Sequence, residues 1–487
     1  MMNFTSVPAR SMARTAAILI TVIVGLTSRL HADDIARVKD AMQKAATFYM
    51  NEVAVHGGYV YYSTPDGSRR LGEGEATATQ IWVQPPGTPT VGMALLDAWH
   101  ATHDPSLLKG ATDAAEALIY GQLKSGGWTS SIDFNPKGQT GEYLNGKGRG
   151  RNFSTLDDGT TQGALQLLMK VDAAHQFSHK PVHQAVQTAL EAMLAAQFSN
   201  GAFPQGWDDR PNPDQPVLKA SFPDYDWKTE ERVKEYWRLY TLNDGASGTI
   251  TETLLTAHQI YADGKAWPGI ADRCMASLKK FGDFLILAQL PEPQPTWAQQ
   301  YTYRMRPAWA RRFEPPAVTG NESQDVLRTL IRIARVTGDD RYLKPIPAAL
   351  KWFERSILPD GQVARYYELQ TNRPLYMNRE GKEYFLTYDD TDLPSHYSWK
   401  TSVNLPKLTD AWKDALEHKP VRATKGPGLQ EVQQIIEKLD PQGRWVSHNS
   451  AERLFGQAKF AKDEGYLSSQ EFSKNLTRLA EFITHNR

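Results

Sequence analysis

The chain has 487 residues, with 55 Lys plus Arg set against 55 Asp plus Glu. That length allows one large domain or two modest ones, each with a sizeable core. The balanced charge argues against nucleic acid as a partner, since a phosphate-binding surface needs a basic excess, and the lone cysteine, Cys274, excludes any intrachain disulfide.

At the N-terminus, Arg10 and Arg14 precede a nearly continuous apolar run from Ala16 to Leu26, and Ala32 offers a small residue for cleavage. This pattern predicts a signal peptide over 1–32, with an uncleaved anchor as the alternative. The run is too short to span a bilayer comfortably, and no later run is long enough, so a secreted or periplasmic protein without a membrane span is expected.

Helical patterns then dominate. Asp33 to Glu52 carries Ile35, Val38, Met42, Ala45, Ala46 and Tyr49 at helical spacing. Similar stretches are Thr90 to Thr102, Pro105 to Leu123, Gly159 to His175, His183 to Phe198, Gly248 to Ala262, Ile270 to Leu290, Glu322 to Val336, Leu343 to Ile357 and Pro406 to Glu417. Two more follow Leu429. Cys274 falls on the apolar face of its stretch with Ile270 and Leu278, which predicts a buried, inert thiol.

A loose repeat punctuates these helices: a Gln, then a Gly turn, then an aromatic. Gln122 precedes Gly126-Gly127-Trp128, and Gln197 precedes Gly201-Ala202-Phe203. Gln289 before Trp297 is a degenerate copy. Gly361 before Tyr366-Tyr367 and Gly443 before Trp445 complete the series. The spacing predicts helix pairs arranged in a ring or solenoid, each placing its turn on one rim. Two long polar loops interrupt the helices, Asp133 to Arg151 and Asp208 to Tyr236; loops of that length serve as lids or binding walls. The 13 Trp and 20 Tyr suit both sugar stacking and core packing.

Three polar motifs stand at helix starts. They are Leu156-Asp157-Asp158-Gly159-Thr160-Thr161, Leu242-Asn243-Asp244-Gly245-Ala246, and Trp297-Ala298-Gln299-Gln300 followed by Ala310-Arg311-Arg312-Phe313-Glu314 and Gly320-Asn321-Glu322-Ser323. Singly, each has a plain structural reading: Asp N-caps, a capping box over Thr319 to Glu322, and a local ion pair of Arg311 with Glu314. Together on one rim, they offer hard oxygen ligands and a guanidinium, a set suited to Ca²⁺ and a uronate.

The third motif resembles the signature of the family 10 pectate lyases, and the first two resemble that family's D-N-G-A-T and F-N-D-x-A motifs; Thr371-Asn372-Arg373-Pro374 matches as well. The resemblance covers most of the sequence after the leader. It implies an all-α dominated fold, an (α/α) toroid or barrel of helix pairs with short strands and long rim loops. The domain would span 33–424, with 425–487 as a C-terminal helical segment packed on it. It implies Ca²⁺-assisted β-elimination of polygalacturonate by a monomer. Arg311 falls on the family's catalytic arginine, Asp244 on a calcium-binding aspartate, Asp157 on an aspartate near substrate and metal, and Glu314 on the adjacent glutamate. Trp297, Gln299, Gln300, Asn243 and Arg373 become candidate substrate contacts.

Two departures are evident, the first being Tyr301-Thr302-Tyr303 where the family often has an acid. An arginine-rich segment expected before a Gly-Tyr-x-Trp run is replaced by Asp392-Leu393-Pro394-Ser395-His396-Tyr397-Ser398-Trp399, leaving one carboxylate contact to Lys400, Arg373 or Arg379. Lys228, Arg232 and Lys234 of the second long loop are further candidates for a uronate, beside the reading as a solvated face. The rival functions are a toroid glycoside hydrolase working through paired carboxylates, and a noncatalytic pectate-binding protein.

Overall fold

Apolar residues recurring every three or four positions set the helices of this protein. Its computed structural model describes residues 33–230, 232–421, 425–448, 454–461 and 463–486. The segment read as a signal peptide lies outside them. Helix α1 covers 33–48 and continues through a π turn at Tyr49–Val53. There follow α2 (Thr88–Thr102), α3 (Pro105–Tyr120), α4 (Thr160–Ala174), α5 (Lys180–Ala195), α6 (Ala246–Ile260) and α7 (Ile270–Leu287). The series ends with α8 (Gly320–Thr337), α9 (Ile346–Ser356), α10 (Leu405–Leu416), α11 (Leu429–Glu437) and α12 (Ser469–His485).

The fold is an (α/α) toroid. Helices α2, α4, α6 and α8 stand side by side as an inner layer, with α12 against the free flank of α2. Helices α3, α5 and α7 back them from outside. Sequence chemistry follows position. The inner α4 buries polar and apolar residues alike, among them Thr160, Thr161, Gln162, Leu165 and Leu168. The outer α5 buries a single stripe of Val182, Ala185, Val186, Ala189, Leu190 and Met193. One hydrophobic cluster extends from Val38 to Ile483, so the C-terminal helix shares the core of the first. Cys274 is fully buried and burial pushes its thiol up to about 12, which makes it inert. No described helix is long and apolar enough to cross a membrane.

The repeat has a physical basis. Gln122 Nε2 donates to Gly126 O at 2.8 Å and to Ala185 O at 3.0 Å. Gln197 Nε2 donates to Gly201 O at 2.9 Å and to Ser277 O at 3.0 Å. Gln289 Nε2 donates to Pro295 O at 2.8 Å and to Pro345 O at 2.9 Å. Each amide therefore closes its own turn and ties it to the next outer segment. Where the aromatic that follows is a tryptophan, it does equivalent work. The indole N–H groups of Trp128, Trp297 and Trp445 donate to Leu118 O, Leu285 O and Ile435 O, satisfying carbonyls that a helix end leaves open. Gly201 sits at φ +93°, and a Cβ there would lie 2.0 Å from Lys280 O. Gly201→Ala is expected to cost about 1–3 kcal/mol of stability through this strain and clash, read as a lower urea midpoint.

Short antiparallel strands line the rim from which the inner helices start. Ser154–Thr155 pairs with Gly206–Trp207, and Tyr240–Thr241 with Gln300–Tyr301. Val318–Thr319 pairs with Tyr366–Tyr367, which pairs in turn with Pro374–Glu380. Gly465–Ser468 pairs with Tyr62–Ser63, bringing the C-terminal segment to the same rim. The N-terminal turns of α4, α6 and α8 are thereby held side by side.

Candidate active site

The Asp-Gly motifs ahead of α4 and α6 form one structure twice. Asp157–Gly159 and Asn243–Gly245 are single 3₁₀ turns in which Asp158 and Asp244 adopt left-handed φ of 48° and 49°. Gly159 and Gly245 follow at φ +71° and +72°. Neither helix receives a side-chain N-cap, so these aspartates are not the caps that sequence allows. Their carboxylates are committed elsewhere. Asp158 is thus the counterpart of Asp244, and Asp157 that of Asn243.

Arg311 stands at the centre of the carboxylates, in a turn rather than a helix. Its Nη2 donates to Asp157 Oδ2 at 2.6 Å and its Nη1 to Glu314 Oε1 at 3.2 Å. Asp244 Oδ2 lies 3.6 Å from Nη1. Glu314 Oε2 also accepts from the Arg311 backbone N–H at 2.9 Å, which fixes the turn. Asp157 Oδ1 accepts from Gln205 Nε2 at 2.8 Å. The three residues that the sequence placed far apart are therefore in one ion-pair network.

A second guanidinium, not among the sequence candidates, completes it. Arg365 Nη2 donates to Asp244 Oδ1 and to Glu322 Oε1, both at 3.1 Å. Arg365 also lies over the Tyr397 ring, 4.2 Å from its centroid. Tyr397 donates to Glu314 Oε1 at 2.9 Å, and Tyr366 donates to Gln299 Oε1 at 3.0 Å. Glu322 is thus a buried partner of Arg365 rather than the far end of a capping box; Thr319 makes no cap bond. The segment that replaces the expected arginine run supplies His396 and Tyr397 to the wall.

Two open cavities meet at this network. One, of about 500 Å³, is lined by Asp157, Asp158, Arg311, Phe313, His396 and Tyr397, among others. The other, of about 540 Å³, adds Asp244, Arg365 and Phe455. Glu73 and Asp158 line both. Gln84 Nε2 donates to Asp158 Oδ2 at 2.7 Å and to Glu73 Oε1 at 3.2 Å.

Electrostatically the site carries more acid than its cations can hold. Burial raises the Asp158 carboxyl above its ordinary range, and Asp244, Asp157 and Glu73 push it the same way. Burial likewise raises Asp157; Asp244 adds to the rise, and the bonded Arg311 does not cancel it. For Arg311, burial works against the charged form, but Glu314, Asp157 and Asp244 together outweigh it, so its proton is held more firmly than usual. Desolvation alone would loosen that proton; the three carboxylates that face it reverse the balance.

The donor set fits a shared cation rather than a closed one. Among the described residues no group of three His, Cys, Asp or Glu side chains is gathered to hold a metal by itself. Asp157 has both oxygens engaged by Gln205 and Arg311. Asp158 and Asp244 face one cavity and repel each other; with Asp244 Oδ1 on Arg365 and Asp158 Oδ2 on Gln84, they could hold a hard cation only within a shell that substrate and water complete.

The remaining candidates lie differently. Trp297 is wholly buried in the core, where the repeat uses it to close α7. Asn243 is 2% exposed, with neither amide atom partnered among the described residues. Gln300 is buried and donates to Tyr236 O, and Gln299 is buried behind Tyr366. These three amides form the floor beneath the charged network. Arg373 is exposed and packs over the Tyr388 ring at 3.7 Å, away from Arg311. Lys400 pairs with Asp390 at 2.7 Å and with Asp360 at 2.9 Å, and Arg379 is exposed with its Nε donating to Gly381 O. Arg365 and Asp158 were missed because Arg365 precedes Tyr366-Tyr367 as a single basic residue, and Asp158 reads as a duplicate cap. The repeat of Asp-Gly before α4 and α6 was the available signal for Asp158.

Residues 122–364 match the family model described as pectic acid lyase. Among solved structures, a family 10 polysaccharide lyase from Cellvibrio cellulosa is 22% identical, with 66% of this chain and 94% of that one covered at a TM-score of 0.47. A D189A mutant of such a lyase from the same organism, in complex with trigalacturonic acid, is 21% identical, with 62% and 91% covered at 0.46. Cellobiose 2-epimerase from Bacillus thermoamylovorans is 10% identical, with 93% and 99% covered at 0.44. No curated protein matches the chain.

Proposed function

We propose, from the premise that this chain belongs to the pectic acid lyase family, that it cleaves polygalacturonate by calcium-assisted β-elimination with Arg311 as the base. The observation that carries the reading is the convergence of Asp157, Glu314 and Asp244 on the Arg311 guanidinium at the mouth of two open cavities.

The C5 proton of a galacturonate lies α to a carboxylate and becomes acidic only when the developing charge is stabilised. Asp158 and Asp244 are the side chains suited to hold calcium. When bound with the substrate carboxylate, Ca²⁺ would supply that stabilisation and offset the acids that hold the proton on Arg311. The protein's own part is positioning. Asp157 and Glu314 fix the guanidinium plane, and Arg365 fixes Asp244 from below. The C5–H bond breaks as its proton moves to the neutral guanidine form of Arg311, which afterwards returns it to solvent. The electron pair forms the C4–C5 double bond, the C4–O bond breaks, and the departing oxygen takes a proton from water. Phe313 and Tyr397 wall the cavity against bulk water. Secretion or periplasmic export follows from the leader-like segment 1–32.

The test is incubation with polygalacturonate while following ultraviolet absorbance of the unsaturated product. Absorbance should rise, and EDTA should abolish the rise until calcium is restored. Reducing sugar released without unsaturation would favour a hydrolase. Binding without either product would leave a noncatalytic pectate-binding protein.

A further inference from the structure

Beyond the catalytic network, the long loop 208–236 builds a separate feature. It is not loose. Arg238 and Arg210 both pair with Asp208, at 2.9 and 2.6 Å. Arg306 pairs with Asp224 at 2.7 Å, and Lys228 Nζ pairs with Glu368 Oε1 at 2.8 Å. The indole of Trp309 donates to Trp227 O at 2.8 Å. So braced, the loop forms one wall of a third cavity of about 630 Å³. Arg232, Lys234 and Tyr236 line it from the loop, and Trp309, Arg312, Phe313 and Tyr384 from the opposite side. Arg311 lines this cavity too, so it opens directly onto the base.

The charge of this cavity is unbalanced. Arg232 lies with its guanidinium 3.6 Å from the centroid of the Trp309 ring. Among the described residues no carboxylate comes within ion-pair distance of Arg232 or of Lys234. Arg312 has only a long, exposed contact of 3.5 Å with Glu383. Burial and the neighbouring Arg312 work against the charge on Arg232 and outweigh the support it receives from Glu383, while the cavity lining itself carries Arg232, Lys234, Arg311 and Arg312 and, among the described residues, no carboxylate. Like charges held together along a groove, with aromatic rings between them, are stabilised by an anion that brings flat apolar faces with it.

We propose that the cavity of Arg232, Lys234, Trp309 and Arg312 is a uronate subsite next to the cleavage position, binding the free carboxylate of an adjoining galacturonate unit and so setting a preference for unesterified pectate. The proposal rests on the pectate-lyase reading and adds a location for one carboxylate that the expected arginine segment does not supply. Arg232 is the natural ligand for that carboxylate because its planar fork is oriented by stacking on Trp309. The sugar ring would lie against the aromatic wall. A methyl ester at this unit removes the charge, and with it the gain from the cations.

Two measurements decide it. In steady-state kinetics on polygalacturonate, Arg232→Ala and Lys234→Ala should each raise KM by about tenfold with kcat nearly unchanged, and Arg232→Lys should recover part of the loss. On highly methyl-esterified pectin the same variants should differ little from wild type. Binding of a galacturonate oligomer in the Arg311→Ala background, read by tryptophan fluorescence, should weaken by about tenfold when Arg232→Ala is added. Equal oligomer binding with and without Arg232, or an equal KM penalty on esterified and free substrate, overturns the subsite. Failure of both the wild type and the Arg311→Ala background to bind the oligomer overturns the pectate reading itself.

Discussion

Arg311→Ala is expected to lower the initial rate of unsaturated-product formation by about 10²- to 10⁴-fold, the range over which a positioned proton acceptor contributes. The variant also removes the cation from Asp157 and Glu314 and leaves Asp244 to Arg365 alone, so its folding must be read separately. Arg311→Lys is the companion variant. It keeps the positive charge among the carboxylates but loses the fork that engages Asp157 and Glu314 at once. If Arg311 only balances charge, the lysine variant should retain most of the rate; if it takes the proton from a fixed position, the rate should stay low while thermal stability recovers. The pH profile separates the roles further. The guanidinium is held protonated by its acids, so the neutral fraction grows with every unit of pH and the rate should climb through the alkaline range without levelling. His396 lines the same cavity. A rate that reaches its plateau just above neutrality would take the role from Arg311 and leave it between an imidazole and the raised Asp158 carboxyl, which His396→Ala and Asp158→Asn would separate. Activity greatest in acid would count against both.

The sequence carried the helical frame because that frame obeys local rules. Apolar spacing located α2 to α8 closely, and the Gln and aromatic positions of the repeat turned out to be the hydrogen-bonded corners of the ring. The charged centre was legible only in part. Asp157, Asp244, Glu314 and Arg311 stand in motifs, and the rim strands bring those motifs together across 154 residues between Asp157 and Arg311. Trp297 stands in the same motif, yet it serves packing: the indole is buried and closes α7. What sequence could not give was the pairing. Whether Glu322 caps its own helix or binds a guanidinium 43 residues away, in the bend just before Tyr366, depends on the register of Val318–Thr319 with Tyr366–Tyr367, which no local pattern encodes. The same register carries Arg365 over Asp244. The loop 208–236 was legible as a wall by its length, but its charge became meaningful only once Trp309 and Arg312 were seen opposite it.

The other large effect should come from Arg365→Ala, through stability before activity. Arg365 is 8% exposed and Glu322 not at all, and the two are joined at 3.1 Å. Glu322 Oε2 has no partner of its own among the described residues, so the guanidinium is its main compensation. Removing one partner of a buried pair costs about 3–5 kcal/mol, because the charge left behind stays out of water. The loss should depend on pH in a defined direction. Burial raises the Glu322 carboxyl even with Arg365 present, the latter acting to lower it. Without Arg365 the rise must grow. A group with a raised folded pKa weighs against folding once pH exceeds its unfolded value, and that penalty fades as the folded group takes up its proton. The urea midpoint of Arg365→Ala should therefore lie furthest below wild type at neutral and alkaline pH and approach it on acidification. Adding Glu322→Gln should restore part of the stability, since it removes the stranded charge, but not the lyase rate, since Asp244 would still lack its clamp at Oδ1. A deficit below about 1 kcal/mol at neutral pH, the worth of a solvent-exposed pair, would show that the Arg365–Glu322 contact is open to water and does not anchor Asp244.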